Sequence, residues 1–518
     1  MLRSQLLPIE PRFAPQRFAL LLAGLAATSM QALGADTEAS YLEKIQSHFD
    51  RVLEVGVDKY GDDTNDLWIA SIDLRKGGQN ESVDSKSRRA YRRIHAPRGS
   101  NLYWDIPLLV TAHRVSELSG DRKYSEGADR CVSAFLERCV SDKNGFFLWG
   151  NHLFYDVFRD EIERIGHFSH EARPIPVAWE AITRVSPEAA AACVRSMAEL
   201  HVVDHESGFF DRHAPTNKKE IDPDEEFVAK CYPFIETGGV LVESIAWLAA
   251  QRPDDRQQLI DTALKVARFS AADHGEETGV VRNQGHRKRW DYYHGTTEIG
   301  LWAGDLLRAA ELTGVDEFVA IAEPGLLAYL EHGWDADAGK YYGALRVEDA
   351  KPRHPEEEQE YPYQPDLYAD VWEPLFPIHD YPMAMAEACL SFYERTGKEA
   401  YREAAQRWIE HIENSLPAKH LSERHGGHWV DGAYAADYGA VIHYLSRAAK
   451  VLDDDRAREL AHQIAREAVG TLYIEDLGAF RSHPGEDVAD TIDGLGTLFL
   501  ALLELETGED GDLMGYHF

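Results

Sequence analysis

Along residues 41–57, bulky apolar positions recur every four residues at Tyr41, Ile45, Phe49, Leu53 and Val57, the stripe of a helix that buries one face. The same spacing returns over residues 101–118, through Trp104, Leu108, Thr111, Val115 and Leu118. Pro107 is compatible with that helix only in its first turn. Residues 124–140, 187–202, 237–250, 254–272, 296–312 and 401–415 also read as helices. Between them a short unit recurs: an acidic or polar residue, a few linking residues, Gly, then a pair that is usually bulky. It occupies 142–147, 204–210, 274–281, 335–342, 425–430 and 475–480, with an earlier relative at 58–68. Its glycines, Gly145, Gly208, Gly279, Gly339, Gly427 and Gly478, lie 63, 71, 60, 88 and 51 residues apart.

A period of this size marks stacked supersecondary units. Gly closing a helix and a bulky pair opening a short hairpin is sound turn chemistry. Each period holds about two helices, so the pattern predicts an all-α fold, an (α/α)7 toroid of paired antiparallel helices with the hairpins at one end. Six pairs is the second possibility. A ring of this kind makes residues 36–518 a single catalytic domain. Loops at one end of a rigid ring are where a site can be placed.

Composition changes the picture at the N-terminus and in the charge. Arg12 and Arg17 precede an apolar run from Phe18 to Met30, and small residues follow at Ala32, Gly34 and Ala35, the pattern of a signal peptide over residues 1–35. The run is too short to span a bilayer. The expected location is periplasmic or secreted. Losing three Arg and one Glu with the leader moves the formal charge from −35 to −37. Such acidity argues against nucleic acid and anionic membranes as partners, and a monomer is expected. Five cysteines without a CxxC pair are too sparse for a disulfide scaffold.

Candidate chemistry concentrates between Gly145 and His213. Gly-Phe-Phe-Leu-Trp-Gly-Asn-His ends at His152, His-Glu-Ala-Arg-Pro holds Glu171 at the start of an expected helix, and Phe-Phe-Asp-Arg-His ends at Arg212 and His213. Two imidazoles and a carboxylate suit a divalent Mn, Co, Ni or Zn ion. The residue types also accommodate histidines bonded to backbone carbonyls and a surface carboxylate. His167 and His170 are alternative ligands, and Asp156 is a candidate to hold the His152 imidazole.

The order His, then Glu after 18 intervening residues, then adjacent Arg-His after 40 more, resembles the signature of the family 2 polysaccharide lyases, the periplasmic pectate lyases. The resemblance implies a seven-pair barrel, metal ligands at His152, Glu171 and His213, and Arg212 as Brønsted base. It implies β-elimination on polygalacturonate or oligogalacturonate, leaving 4,5-unsaturated uronate ends. Arg is an unusual base, because its reference pKa keeps it cationic; a nearby metal and other arginines would lower it and favour an alkaline optimum.

An acidic polysaccharide or oligosaccharide needs a locally basic cleft on so acidic a protein. The sequence offers Arg282, Arg287, Arg289 and Trp290, with Arg173 and Arg164 beside Glu171. Residues 352–382, acidic and then aromatic, are the one long irregular stretch, a flap or a packed loop. Two other readings compete. An (α/α)6 glycoside hydrolase, unsaturated uronyl hydrolase or sugar epimerase would draw on Asp105, Glu236, Glu298 and Asp370. A non-catalytic carbohydrate-binding protein would bind oligouronates without turnover.

Overall fold

Some helices of this chain are apolar on nearly every face and others on one stripe only, and that difference sorts them into two layers. The computed structural model describes residues 39–80, 98–166, 168–172, 177–221, 224–285, 289–355, 364–372, 379–417, 433–491 and 494–509. Residues 1–38, and with them the expected leader, lie outside the described residues. Contacts divide the chain into Met1–Ala39 and Ser40–Phe518, and every helix and strand belongs to the second unit.

In chain order the main helices are α1 (Tyr41–Val55), α2 (Leu102–Ser119), α3 (Lys123–Arg138), α4 (Trp179–Thr183), α5 (Pro187–Leu200), α6 (Ile235–Gln251) and α7 (Arg256–Ala272). They continue with α8 (Glu298–Thr313), α9 (Glu317–His332), α10 (Pro382–Thr396), α11 (Glu399–Glu413), α12 (Ala435–Val451), α13 (Asp455–Leu472) and α14 (Leu495–Thr507). The even-numbered helices are the more completely buried: α6 from Ile235 to Ala249 has no exposed position, and α2, α8, α12 and α14 come close. They form the inner layer, α6 packing on α8, α8 on α10, α10 on α12, α12 on α14 and α14 on α2. The odd-numbered helices bury one stripe against them. The first helix closes the ring: α1 packs on α14 and α2, and the Glu506 carboxylate accepts the backbone N–H groups of Tyr41 and Leu42 at 3.1 and 2.9 Å, satisfying two orphan donors of its first turn. The fold is thus all-α, these fourteen main helices forming an inner and an outer layer, with a further four-residue helix at Glu225–Val228.

Between α2 and α6 the inner layer is different. Only five residues are helical there, and the gap is filled by a run of rings, Tyr103 to Trp149 at 5.5 Å, Trp149 to Trp179 at 6.4 Å, and Trp179 stacked on Trp247 at 5.5 Å. The helix expected to open at Glu171 starts only at Trp179. Glu171 instead ends a strand, Ser169–Glu171; the sequence that follows carries Pro174 and Pro176, residues that disfavour a helix interior. A second expectation also fails: Pro107 is the sixth residue of α2, beyond its first turn.

The recurring Gly unit is a hairpin in each described copy. Val140 bridges Phe147, Val202–Asp204 pairs with Phe209–Phe210, His274 bridges Val281, Trp334–Asp335 pairs with Lys340–Tyr341, and Tyr473–Ile474 with Ala479–Phe480. Val57 bridges Trp68 at the earlier relative, and 425–430 lies outside the described residues. Each hairpin follows an outer helix and precedes an inner one, so all open at one end of the ring. The described parts of 352–382 pack down: Tyr342 bridges Tyr368, Trp372 is buried, and Asp380 accepts from the Thr297 hydroxyl at 2.6 Å. The five cysteines are free and buried.

Candidate metal centre and its arginine

Four strands bring the proposed residues together. His152 precedes the strand Leu153–Asp156, whose pairing with Glu161–Arg164 places Ile165 opposite it. The Ile165 N–H donates to the His152 carbonyl, and His152 Nδ1 lies 2.8 Å from the Ile165 carbonyl. A ring nitrogen facing a carbonyl must carry the proton, so Nε2 is left as the lone-pair donor, the tautomer a metal ligand requires. Asp156, the expected holder of this ring, instead accepts the N–H groups of Phe158 and Arg159.

Glu171 and His213 are directly opposite each other in the antiparallel pair of Ser169–Glu171 with His213–Pro215, where cross-strand side chains lie side by side. His213 Nε2 is 3.7 Å from Glu171 Oε1 and His152 Nε2 is 3.8 Å from Oε2. The imidazole centroids are 5.3 Å apart. One ligand atom from each of the three residues lies within 4.8 Å of the other two. Among the described residues this is the one such His, Cys, Asp or Glu group. Burial lowers the His152 pKa despite the opposing pull of Glu171, which keeps its ring neutral near pH 7. The donor set, two imidazoles and one buried carboxylate, fits a borderline divalent cation.

Arg212 closes on the same carboxylate. Its Nε and Nη2 lie 2.6 and 2.5 Å from Glu171 Oε1, a charge-assisted pair in which the carboxylate is 1 % exposed and the guanidinium 12 %. The guanidinium carbon also sits 4.9 Å from the Phe234 ring centroid.

His170 is excluded from this group. It stacks on Phe146 at 4.3 Å and its Nδ1 faces His201 Nε2 at 2.8 Å, with His201 in turn bound to the Asp211 carbonyl. Burial first and His201 second hold its pKa well below the usual value; it is a core histidine. His167, Arg173 and Arg287 lie outside the described residues. Arg164 is exposed on its strand.

The basic stretch divides. Arg282 is tied down, to Asp273 at 2.6 Å and the Tyr292 carbonyl at 2.8 Å. Trp290 is buried, with the Arg353 guanidinium 4.5 Å over its ring. Arg289 reaches the site: its guanidinium carbon lies 4.9 Å from the Phe234 ring that also supports Arg212. Asp291 holds it at 2.7 Å and His379 Nε2 at 3.2 Å. His379 stacks on Phe234 and its Nδ1 lies 2.8 Å from Glu298; burial lowers its pKa to about 4. The hydrolase candidates Asp105, Glu236, Glu298 and Asp370 are all nearly inaccessible, and burial raises both Asp105 and Glu236 to about 8.

Tyr232, Phe234 and His379 carry this end of the ring and were not singled out from sequence. The available signal was position: each lies within three residues of the start of an inner helix, in Cys-Tyr-Pro-Phe before α6 and His-Asp-Tyr before α10.

Residues 91–279 match the family model for periplasmic pectate lyase, Pectate_lyase_2. The matched segment holds His152, Glu171, Arg212 and His213, the residues on which the resemblance to family 2 polysaccharide lyases rests. It carries the sequence pattern of a carbohydrate-active enzyme family. No curated protein matches the sequence. Similar solved structures include the GH76A α-1,6-mannanase of Salegentibacter sp. HEL1_6, at 11 % identity and TM-score 0.44, covering 90 % of this chain and 99 % of that one. A D-mannose isomerase follows at 8 % and 0.48, covering 93 % and 100 %. The cellobiose 2-epimerase of Bacillus thermoamylovorans B4167 stands at 12 % and 0.46, covering 76 % and 89 %. At these scores they bear on neither substrate nor reaction.

Proposed function

We propose, from the match of residues 91–279 to periplasmic pectate lyases, that this protein is a metal-dependent lyase cleaving polygalacturonate or oligogalacturonate by β-elimination. The single observation that supports the reading most is the convergence of His152, Glu171 and His213 with Arg212 bonded to the same carboxylate. Removing the C5 proton of a uronate builds negative charge on its carboxylate, and stabilising that charge is the main catalytic task. A divalent transition metal held by His152, Glu171 and His213 would supply Lewis acidity toward that carboxylate, with three protein ligands leaving positions open.

The chain's own residues do the rest. Arg212 is held at the ligand set by Glu171 on one side and Phe234 on another, which fixes the direction of its guanidinium. As the base it takes the C5 proton in its neutral form. Arg289, held by Asp291 and His379, brings a second cation to the Phe234 ring, where its charge would attract a uronate carboxylate. The C4–O4 bond then breaks and a C4=C5 double bond remains, with no water consumed. Export to the periplasm or beyond, and a monomeric state, complete the proposal.

The test is to incubate the mature protein with polygalacturonate at alkaline pH, with Mn²⁺ or with chelator, and to follow the ultraviolet absorbance of the conjugated product. Signal with metal and none with chelator is expected. Absence of product with every candidate metal and several uronans rejects the lyase.

A further inference from the structure

In a galacturonate unit the C5 hydrogen and the C4 oxygen lie on opposite faces of the ring. The base that takes one therefore cannot return its proton to the other as the bond breaks, and a second group must protonate the departing oxygen or leave it as a costly alkoxide. Among the described residues, three candidates stand near Arg212. Glu236 is 3 % exposed at the start of α6, too deep for a sugar oxygen. His379 is 6 % exposed and its two nitrogens are already engaged by Glu298 and Arg289. Tyr232 is half-buried and stands at the site itself.

Its position is fixed from both directions. The Tyr232 N–H donates to Asp211 Oδ1 at 2.9 Å, and its carbonyl accepts the Arg212 N–H at 3.3 Å, so the backbone of Tyr232 is attached to the strand end that carries Arg212 and His213. The ring packs between two functional groups: its centroid is 6.3 Å from that of His213, edge to face, and 6.2 Å from Phe234, stacked at 14°. Phe234 is the ring that supports both Arg212 and Arg289. The Arg289 guanidinium lies 6.0 Å from the Tyr232 centroid. A phenol thus sits beside the ligand set with a fixed cation near its ring.

We propose that Tyr232 is the proton donor to the leaving glycosidic oxygen. The inference rests on the lyase reading above. The C5–H bond breaks and its proton passes to Arg212; the electron pair forms the C4=C5 bond; the C4–O4 bond breaks; and O4 takes the hydroxyl proton of Tyr232. The resulting phenolate is stabilised by Arg289 and regains a proton from water, and Arg212 releases the C5 proton to solvent, restoring the enzyme.

The test is Tyr232→Phe, which keeps the ring, its stack on Phe234 and its backbone bonds, and removes only the hydroxyl. Three quantities are measured: Mn²⁺ affinity by calorimetry, unsaturated product from polygalacturonate, and 4-nitrophenolate released from a galacturonide carrying a 4-nitrophenyl ether at O4. That leaving group departs as a stable anion and needs no acid. The expected result is unchanged Mn²⁺ affinity, a fall of about 10²-fold or more in kcat on polygalacturonate, and nitrophenyl ether turnover within about tenfold of wild type. Full activity on polygalacturonate would overturn the proposal by showing that the ring alone matters. Equal loss on both substrates would overturn it by assigning the hydroxyl to orientation. Failure of the lyase reading is distinct: the wild-type protein itself would then release no unsaturated product from polygalacturonate, whichever metal is supplied.

Discussion

At the scale of single residues, one carboxylate joins the proposed ligand set to the proposed base. Glu171 faces His213 across a strand pair, His152 from a neighbouring turn, and Arg212 within hydrogen-bond distance. Two substitutions separate its partners. Arg212→Ala is expected to abolish nearly all turnover, by roughly 10³-fold or more in kcat, with Mn²⁺ affinity retained; a variant with normal activity removes Arg212 from the mechanism. Glu171→Gln keeps the shape but loses the ligand charge, so calorimetry should show Mn²⁺ binding weakened by about 100-fold or more. Unchanged affinity would take Glu171 out of the ligand set. The His, Glu and Arg-His residue types were legible in the sequence. The Ile165 carbonyl that fixes the His152 tautomer was not, because a backbone acceptor has no residue type to betray it.

At the scale of elements, the Gly-marked unit was readable because a tight hairpin needs a left-handed residue at a fixed place, and Gly145, Gly208, Gly279, Gly339 and Gly478 all have φ between 59° and 82°. The helix expected from Glu171 was misplaced because two prolines decide against it only when a partner strand is there to take the segment. Contacts between helices carry their own pH dependence. His443 of α12 lies 2.6 Å from Glu504 of α14 and 3.7 Å from Glu387 of α10, with Arg447 and Lys450 on the same two carboxylates. Burial alone would lower its pKa, but Glu387 and Glu504 outweigh it and the net direction is upward. A pKa raised on folding stabilises fully below the unfolded value, near 6.5, and that contribution is lost as pH rises through the folded value. The thermal midpoint of the wild type should therefore exceed that of His443→Gln most at pH 5 to 6, the gap narrowing as pH rises. A gap independent of pH would mean that the imidazolium contributes nothing.

At the scale of the whole molecule, the ring closes where α14 meets α2. A Cβ on Gly496 would collide with the Leu108 nitrogen and the Pro107 carbonyl carbon, and the Thr111 hydroxyl there bridges the Pro107 and Gly496 carbonyls. The proline that seemed misplaced in α2 sits at this seam, beside the one residue type small enough to approach it. Gly496→Ala should cost about 1–3 kcal/mol through backbone displacement, read as a lower thermal midpoint. A midpoint equal to wild type would show the seam to be loose. The family match ends at residue 279, whereas the seam joins residues near 107 and 496, so closure involves chain on both sides of that limit.

The sequence by itself determined the local matters: helix faces, hairpin positions, the period of the repeat and the chemical types available for a site. These follow from dihedral preference and from the spacing of apolar groups, which act over a few residues. Only the tertiary structure decided which strand lies opposite Glu171, that Phe234 gathers Arg212, Arg289 and His379, and that α1 and α14 share a wall. Those depend on pairings across tens to hundreds of residues, where the energy of a contact is set by the shape of the whole ring and no single stretch of chain contains it.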